Sequence, residues 1–256
     1  MRKRAAKTSP WLWALLAAAA LAVGLRFTAI GYGLPHTYNA DEPHVINMAV
    51  SFGGGSLRPH SFKYPTLWPT LLAGLYGLWF ALWSLFGLRK SPLDFAALYG
   101  FAPTGFYLIA RTASALAALA AVVVVARAER SGENSARWPY GALILAFAPV
   151  LVDLGHSAKP DMLMLLFVSG AWACALRFQS GGPRGWLYAA AALVGAGCST
   201  QYTAAPAALL VPLAWLLRDG GRPRFSWLAE AALFAAAAFF MGSPYVALDF
   251  RRFAAN

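Results

Sequence analysis

Residues 105–126 decide the fold class; they read Gly105-Phe-Tyr-Leu-Ile-Ala-Arg111-Thr-Ala-Ser-Ala-Leu-Ala-Ala-Leu-Ala-Ala-Val-Val-Val-Val-Ala126. A membrane-crossing helix needs about 20 apolar residues, and Arg111 is the only charged residue in this stretch. Across all 256 residues, 59% are hydrophobic and 12% are charged, whereas soluble domains carry about 25% charged residues. The sequence therefore predicts an all-α fold, a polytopic transmembrane helical bundle.

Other apolar segments of this kind occupy much of the chain. Together with 105–126, the predicted spans cover about 11–30, 138–154, 162–178, 186–200, 202–217 and 227–243. Several are short and rich in Ala and Gly, which suits membrane helices that pack closely on one another. We interpret residues 1–256 as one membrane module, and expect it to be the N-terminal portion of a longer protein.

Basic residues gather in four short segments between the apolar stretches. More than half of the 21 Lys and Arg residues lie in residues 2–7, 127–137, 177–184 and 218–224. The positive-inside rule places such short segments in the cytoplasm, so topology explains the net charge of +11 and a nucleic-acid partner is not expected. The sequence predicts a multi-pass protein of the plasma (inner) membrane with a cytoplasmic N-terminus.

One further apolar segment, residues 66–88, would disturb this topology if it crossed the membrane. Three apolar segments separate the basic N-terminus from Arg127, so one of them must stay on one side. Segment 66–88 is dense in Trp and Tyr, which favour the membrane interface. We therefore predict interfacial helices inside a first external loop of about 31–104, which puts Asp41 and Asp161 on the same extracytoplasmic face.

The first motif that could carry chemistry is Asn39-Ala-Asp41-Glu42-Pro-His44, directly after the first predicted span. Adjacent carboxylates, in a chain with only ten acidic residues, could act as a general base or bind a metal ion. The same residues fit the start of a helix running to about Phe52, with Asp41 as its N-cap. The two interpretations are compatible.

Three more polar motifs interrupt the apolar pattern. Phe62-Lys63-Tyr64-Pro65 could bind a lipid phosphate or anchor the chain at the interface. His156-Ser-Ala-Lys159-Pro-Asp161 places ionisable groups between two spans, where they are costly and usually functional, although Asp161 could simply cap the next helix. Ser199-Thr-Gln201-Tyr202-Thr203 could line a cavity or join helices. Arg111 could face a phosphate or pair with an acid.

Taken in order, these motifs resemble the C-type glycosyltransferases of the protein mannosyltransferase and lipid A aminoarabinose transferase type, over essentially the whole chain. The resemblance implies a C-type membrane module. Such an enzyme moves a sugar from a polyprenyl-phosphate donor to a hydroxyl of a glycan, lipid or protein acceptor on the extracytoplasmic (periplasmic) side. The absence of a glycine-rich nucleotide loop agrees with a lipid-linked donor. Membrane lipids are expected partners, and a divalent metal ion could assist the departing phosphate.

The resemblance and the motifs together suggest roles for individual residues. The predicted catalytic carboxylates, with Asp41 as the base, are Asp41, Glu42 and Asp161. The predicted ligands of the donor phosphate are Lys63, Tyr64, Arg58, Arg111 and Lys159. The predicted acceptor-binding or cavity-lining residues are His44, His156, Gln201 and Tyr202. Many relatives have Lys where this chain has Gln201, so a phosphate contact is not expected at that turn.

A transporter or flippase for lipid-linked sugars is the alternative function. Transporters often show internal repeats and place charges near the middle of the membrane. We find no convincing repeat, and the charges that could form a site gather at one face. These features favour the transferase.

Overall fold

The computed structural model describes residues 10–36, 39–88, 91–130, 139–221 and 223–255, and within those ranges it contains helices and no strand. The α-helices in chain order are α1 (Pro10–Phe27), α2 (Asp41–Phe52), α3 (Leu67–Leu85), α4 (Pro92–Phe101), α5 (Thr104–Arg130), α6 (Tyr140–Phe147), α7 (Pro149–Gly155), α8 (Asp161–Gln179), α9 (Gly185–Thr200), α10 (Leu210–Leu216), α11 (Ser226–Gly242), α12 (Tyr245–Leu248) and α13 (Phe250–Ala254). A 3₁₀ helix, Tyr202–Leu209, leads into α10.

By length and composition, α5 and α8 are the two described helices long and apolar enough to cross a membrane. Three shorter apolar helices accompany them, at Leu16–Phe27, Tyr202–Leu216 and Ser226–Gly242. Although α3 has 19 residues, it is not among the candidate spans. The predicted all-α membrane bundle is confirmed.

Close contacts between backbones hold the centre of the bundle together. Helix α9 packs between α8 and α11, and α5 packs on the other side of α8. At Gly195 the backbone of α11 comes so near that an added Cβ would lie 2.0 Å from the Ala235 carbonyl oxygen. Small residues permit such approach between membrane helices, in agreement with the Ala- and Gly-rich sequence.

The predicted span 138–154 is not a single helix. Its first residue lies outside the described residues, and the rest forms α6 and α7 with a break before Pro149. Proline lacks a backbone N–H and pushes the preceding residue out of the helical conformation; Ala148 accordingly has φ −59° and ψ 120°. The buried Arg26 guanidinium donates to the Leu145 and Ala146 carbonyls, both at 2.8 Å. Arg26 therefore satisfies carbonyl groups at the end of α6.

The predicted span 202–217 also differs from a regular α-helix. Its first half is the 3₁₀ helix, which contains Pro206, and only Leu210–Leu216 is α-helical. The 3₁₀ form is unusual over eight residues, and Pro206 cannot donate a backbone hydrogen bond. This irregular segment starts beside the polar motif that follows α9.

Helix α3 lies across one end of the bundle. Just before it, the Thr66 backbone N–H hydrogen-bonds to the residue that follows α11. Trp68 Nε1 then donates to the Ala158 carbonyl ahead of α8 at 2.8 Å, and the Tyr76 hydroxyl donates to the Phe106 carbonyl in the first turn of α5 at 3.1 Å. Since α3 meets the ends of three helices along its length, it crosses this end of the bundle and does not run beside them.

The described basic residues of the predicted cytoplasmic segments lie at the opposite end. Helix α5 has 27 residues, which corresponds to about 40 Å. Arg127 and Arg130 occupy its last turn, far from the α3 end. Arg218 donates to the carbonyls of Phe178 and Gly182, next to the end of α8. The short basic segments therefore lie at the end opposite the one capped by α2 and α3.

Candidate active site

A cluster of four charged side chains lies at the end capped by α2 and α3. Lys63 Nζ is 3.0 Å from Asp41 Oδ1, and Lys159 Nζ is 3.8 Å from Asp41 Oδ2. Lys159 Nζ is also 3.9 Å from Asp161 Oδ2. We call Asp41, Lys63, Lys159 and Asp161 the Asp41 cluster. Three separate segments supply it: the first turn of α2, the loop before α3 and the loop leading into α8.

The two lysines keep the Asp41 carboxylate charged. The hydrogen bond from Lys63 lowers the pKa of Asp41, and the positive charges of Lys63 and Lys159 act in the same direction. In return, the hydrogen bond to Asp41 raises the pKa of Lys63. The Asp41 side chain is 33% exposed, so an ionised carboxylate is open to a ligand at neutral pH.

Two aromatic side chains lie beside this cluster. The His44 and Tyr64 rings are 5.7 Å apart, and Lys63 Nζ lies 5.4 Å from the centre of the Tyr64 ring. Burial raises the pKa of Tyr64, and the negative charge of Asp41 raises it further. Burial, followed by the charge of Lys63, lowers the pKa of His44. His44 and Tyr64 therefore remain neutral next to the charged cluster at neutral pH.

Glu42, the neighbour of Asp41 in sequence, is buried in a two-point ion pair with Arg111. Arg111 donates to the two Glu42 carboxylate oxygens at 2.9 and 2.8 Å. It also donates to the Ile30 and Tyr32 carbonyls, both at 2.9 Å. A catalytic role for Glu42 and a phosphate-binding role for Arg111 stay predictions. The geometry favours a positioning role for both, since these bonds occupy the carboxylate and most of the guanidinium.

The Glu42–Arg111 pair fixes the position of the Asp41 cluster. Glu42 Oε1 also accepts the backbone N–H of Ala158 at 2.7 Å. One carboxylate thus joins α2, α5 and the loop before α8. Asp41 directly precedes Glu42 in sequence, and Lys159 directly follows Ala158. Removing one partner of such a buried pair typically costs about 3–5 kcal/mol.

The helix-start interpretation of Asp41 and Asp161 needs a correction. Both residues are the first of their helices, with Ala40 and Pro160 at the N-cap positions, and neither helix has a side-chain cap hydrogen bond. Instead, Asn39 Oδ1 accepts the Asp41 backbone N–H at 3.1 Å. Acidic residues in the first turn still suit the helix dipole, but the predicted N-cap role of Asp41 is wrong. The Asp41 carboxylate instead forms ion pairs with Lys63 and Lys159.

The polar motif after α9 lies at the same end of the bundle. The Thr203 hydroxyl is 3.4 Å from Met164 Sδ, one turn along α8 from Asp161. Gln201 Oε1 and the Tyr202 hydroxyl are buried, and among the described residues neither has a hydrogen-bond partner. His44 Nε2 and Asp161 Oδ2 share this property. Buried polar atoms without partners are rare in native proteins, and their concentration here distinguishes this end of the bundle.

Besides Glu42 and Arg111, two further predicted site residues have partners outside the Asp41 cluster. Arg58 Nη2 is 2.7 Å from Asp249 Oδ2, just after α12. His156 Nε2 lies 3.0 Å from the Thr28 carbonyl oxygen, just after α1. The structure therefore does not bring Arg58 to Asp41, and it places His156 in a neighbouring cavity.

This cavity has a volume of about 620 Å³ and lies between the end of α1, the start of α2 and α7. Its lining includes Thr28, Tyr32, Asn39, Asp153, His156 and Ser157, with Glu42 and Arg111 alongside. The sequence assigned no role to Thr28 or Tyr32, which lie in no polar motif. Asp153 lies near the end of the apolar stretch 138–154 and outside the polar motifs.

The described residues contain no group of three or more His, Cys, Asp or Glu that could hold a metal ion. The positive charges beside Asp41 come from lysines instead.

The fold and the site define a class of protein: an all-α membrane bundle with a charged cluster at one end. Comparison with known sequences identifies the family. Residues 95–247 match the sequence model of the dolichyl-phosphate-mannose-protein mannosyltransferase family. The match spans more than half of the chain, so the chain belongs to this family and is a membrane glycosyltransferase. No curated protein and no solved structure matches the chain significantly.

The family match has two consequences. It decides between the two predicted functions in favour of the glycosyltransferase over the transporter. It includes Arg111, Lys159 and Asp161 but begins after Asp41 and Lys63. The roles of Asp41 and Lys63 therefore rest on geometry and not on the match.

Proposed function

We propose that this protein transfers a sugar from a polyprenyl-phosphate donor to a hydroxyl acceptor, with Asp41 as the general base. The observation that carries the proposal is the position of the Asp41 carboxylate between Lys63 and Lys159. A base and two cations within one cluster are the groups that transfer from a sugar phosphate requires. The donor provides its own leaving group, so no nucleotide site is needed.

In the proposed reaction, the acceptor oxygen attacks the anomeric carbon of the donor sugar. A new carbon–oxygen bond forms to the acceptor, and the bond from the anomeric carbon to the phosphate oxygen breaks. The acceptor proton passes to Asp41, and the bonding electrons leave with the polyprenyl phosphate. One displacement inverts the anomeric configuration, as it does in inverting hydrolases.

Lys63 has a double role in this proposal. Without donor, its ammonium group hydrogen-bonds to Asp41 and lowers the pKa of that carboxyl, which makes Asp41 a weak base. A phosphate bound between Lys63 and Lys159 would compete with Asp41 for the Lys63 ammonium. Donor binding would then weaken the Lys63–Asp41 bond and raise the basicity of Asp41 when the proton must be taken.

Glu42 and Arg111 serve as positioning residues in this mechanism, because they hold α2 against α5 and the loop before α8. Asp161 lies beside Lys159 and has a buried oxygen without a hydrogen-bond partner. We assign Asp161 to orienting Lys159 and the donor sugar.

The proposed site is extracytoplasmic. Support comes from the placement of the short basic segments: the basic residues in the last turns of α5 and α8, and Arg218 in the loop after α10, lie at the end opposite Asp41. The positive-inside rule assigns short basic loops to the cytoplasm. The headgroup of a polyprenyl phosphate in the outer leaflet would then be level with Lys63 and Lys159.

The experiment that tests the proposal compares donors. Purified protein in nanodiscs would receive radiolabelled polyprenyl-phosphate sugars, including mannose, and the corresponding nucleotide sugars, with membrane extract as a source of acceptors. We expect label to leave only the lipid-linked donors. Consumption of a nucleotide sugar in nanodiscs without any polyprenyl phosphate would overturn the proposal.

A further inference from the structure

We propose that the 620 Å³ cavity beside Asp41 binds the acceptor as a saccharide, with Asp153 as its main hydrogen-bond acceptor. The inference rests on the proposed function and extends it from the donor to the chemical class of the acceptor. Its basis is the chemistry of the cavity walls, which differs from that of the Asp41 cluster.

The walls of the cavity are rich in hydrogen-bond acceptors. Asp153 contributes a carboxylate, which only accepts when ionised, and Asn39 and Thr28 contribute an amide and a hydroxyl. Asp153 is exposed, and within the described part of the chain its carboxylate has no hydrogen bond or ion pair. A ligand with many hydroxyl donors suits such walls better than an apolar ligand, which would leave these groups without water or partners.

The cavity also has the size and the aromatic surface that a sugar needs. Its volume lies within the range of about 300–1,000 Å³ that is usual for small-molecule sites. Tyr32 is among its lining residues and is 75% exposed, which offers a flat apolar surface to one face of a sugar ring. The Glu42–Arg111 pair fixes one wall, so the shape of the cavity exists before a ligand binds.

The cavity is next to the proposed base. Asn39, one of its lining residues, accepts the Asp41 backbone N–H at 3.1 Å. Ser157, another, lies two residues before Lys159 of the Asp41 cluster. A saccharide in the cavity can therefore extend one hydroxyl over the start of α2 toward Asp41, while the donor phosphate occupies the side of Lys63 and Lys159.

The test measures binding without any donor, so that it is independent of catalysis. Hydrogen–deuterium exchange would be followed in residues 28–36 and 153–157 of the protein in nanodiscs. The probes are mannotriose, maltotriose and chitotriose, with a hexapeptide containing Ser and Thr as the non-sugar ligand. We expect at least one trisaccharide to slow exchange in both segments and the peptide to have no effect.

Asp153→Asn keeps the shape of the side chain and removes its charge. A hydrogen bond to an ionised group is about twice as strong as one to a neutral group, so the half-saturating concentration of the protecting trisaccharide should rise about 10-fold. The matched control is Asp94→Asn, in the first turn of α4 and outside the cavity lining, which should change nothing.

Protection by the peptide alone, or by none of the probes, would overturn the proposal, as would equal trisaccharide affinity in wild type and Asp153→Asn. Failure of the proposed function would look different. In that case no sugar would leave a lipid-linked donor, although the trisaccharide would still protect the cavity.

Discussion

Lys63 hydrogen-bonds to Asp41 at 3.0 Å from a loop 22 residues further along the chain. The bond joins the start of α2 to the segment before α3. It places a cation on the carboxylate that we propose as the base, so the protonation of Asp41 depends on Lys63.

Replacing Lys63 with Met should move the acid limb of the activity profile to higher pH. In the wild type, Lys63 lowers the pKa of Asp41, so the carboxylate stays ionised, and able to accept a proton, down to a pH below its usual range. Without Lys63 that pKa rises, and Asp41 is protonated at a higher pH. The pH dependence of kcat/KM reports the pKa of the free enzyme. Lys63→Arg, which keeps the charge, is the control, and an acid limb that is unchanged in Lys63→Met would contradict the assignment.

Glu42→Gln should lower the thermal stability of the protein, because Glu42 is proposed to position α2 and not to take part in the reaction itself. The substitution leaves the Arg111 guanidinium buried without a counter-charge, and breaking a buried pair typically costs about 3–5 kcal/mol. Thermal unfolding in detergent should show the loss. The double variant Glu42→Met with Arg111→Met removes both charges and should recover much of the stability. Wild-type stability in Glu42→Gln would show that the ion pair does not hold α2 in place.

The position of α3 predicts an unusual topology result. Because α3 lies across the end of the bundle, reporters inserted at Gly54, before α3, and at Leu88, after it, should both read extracytoplasmic. A reporter at Gly220, after α10, should read cytoplasmic. Opposite readings at Gly54 and Leu88 would mean that α3 crosses the membrane, and Asp41 and Asp161 could then not share a face.

The contact of α9 with α11 predicts a strong effect of a single methyl group. At Gly195 an added Cβ would meet the backbone of Ala235 at 2.0 Å, so Gly195→Ala should destabilise the protein by about 1–3 kcal/mol. Gly77→Ala in α3 is the matched control, since nothing lies within 4 Å of its added Cβ. Helix propensity favours Ala over Gly by about 1 kcal/mol, so Gly77→Ala should be neutral or stabilising. Similar melting shifts in the two variants would contradict the packing.

Much of the fold could be predicted because lipid imposes simple rules on sequence. Long apolar stretches such as 105–126 must be helical in a membrane, and the structure has helix α5 there. The breaks could not be read from hydropathy. The division of 138–154 depends on Pro149 together with a buried Arg26 from a distant helix, and hydropathy does not register Pro206 inside the 3₁₀ helix.

For the candidate site too, the sequence predicted the residues that short motifs mark, but not the contacts between residues far apart in the chain. Sequence motifs indicated Asp41, Lys63, Lys159 and Asp161 because charged residues are rare in this chain, and the structure brings these four together. The sequence could not show that Glu42 pairs with Arg111, 69 residues away, or that Arg58 pairs with Asp249. Which charged residues pair with each other depends on the three-dimensional fold, and a short sequence motif does not specify that fold.

The most direct test of the central claim is the turnover of Asp41→Asn with a polyprenyl-phosphate sugar as donor. Asn keeps the size of the side chain, and the Asp41 carboxylate makes no cap hydrogen bond that the change could break, so expression and melting temperature should stay close to wild type. A positioned general base contributes about 100- to 10,000-fold, and we expect turnover to fall by at least about 100-fold. Turnover above about a third of wild type would contradict the account, because a positioned general base typically contributes far more than about 3-fold.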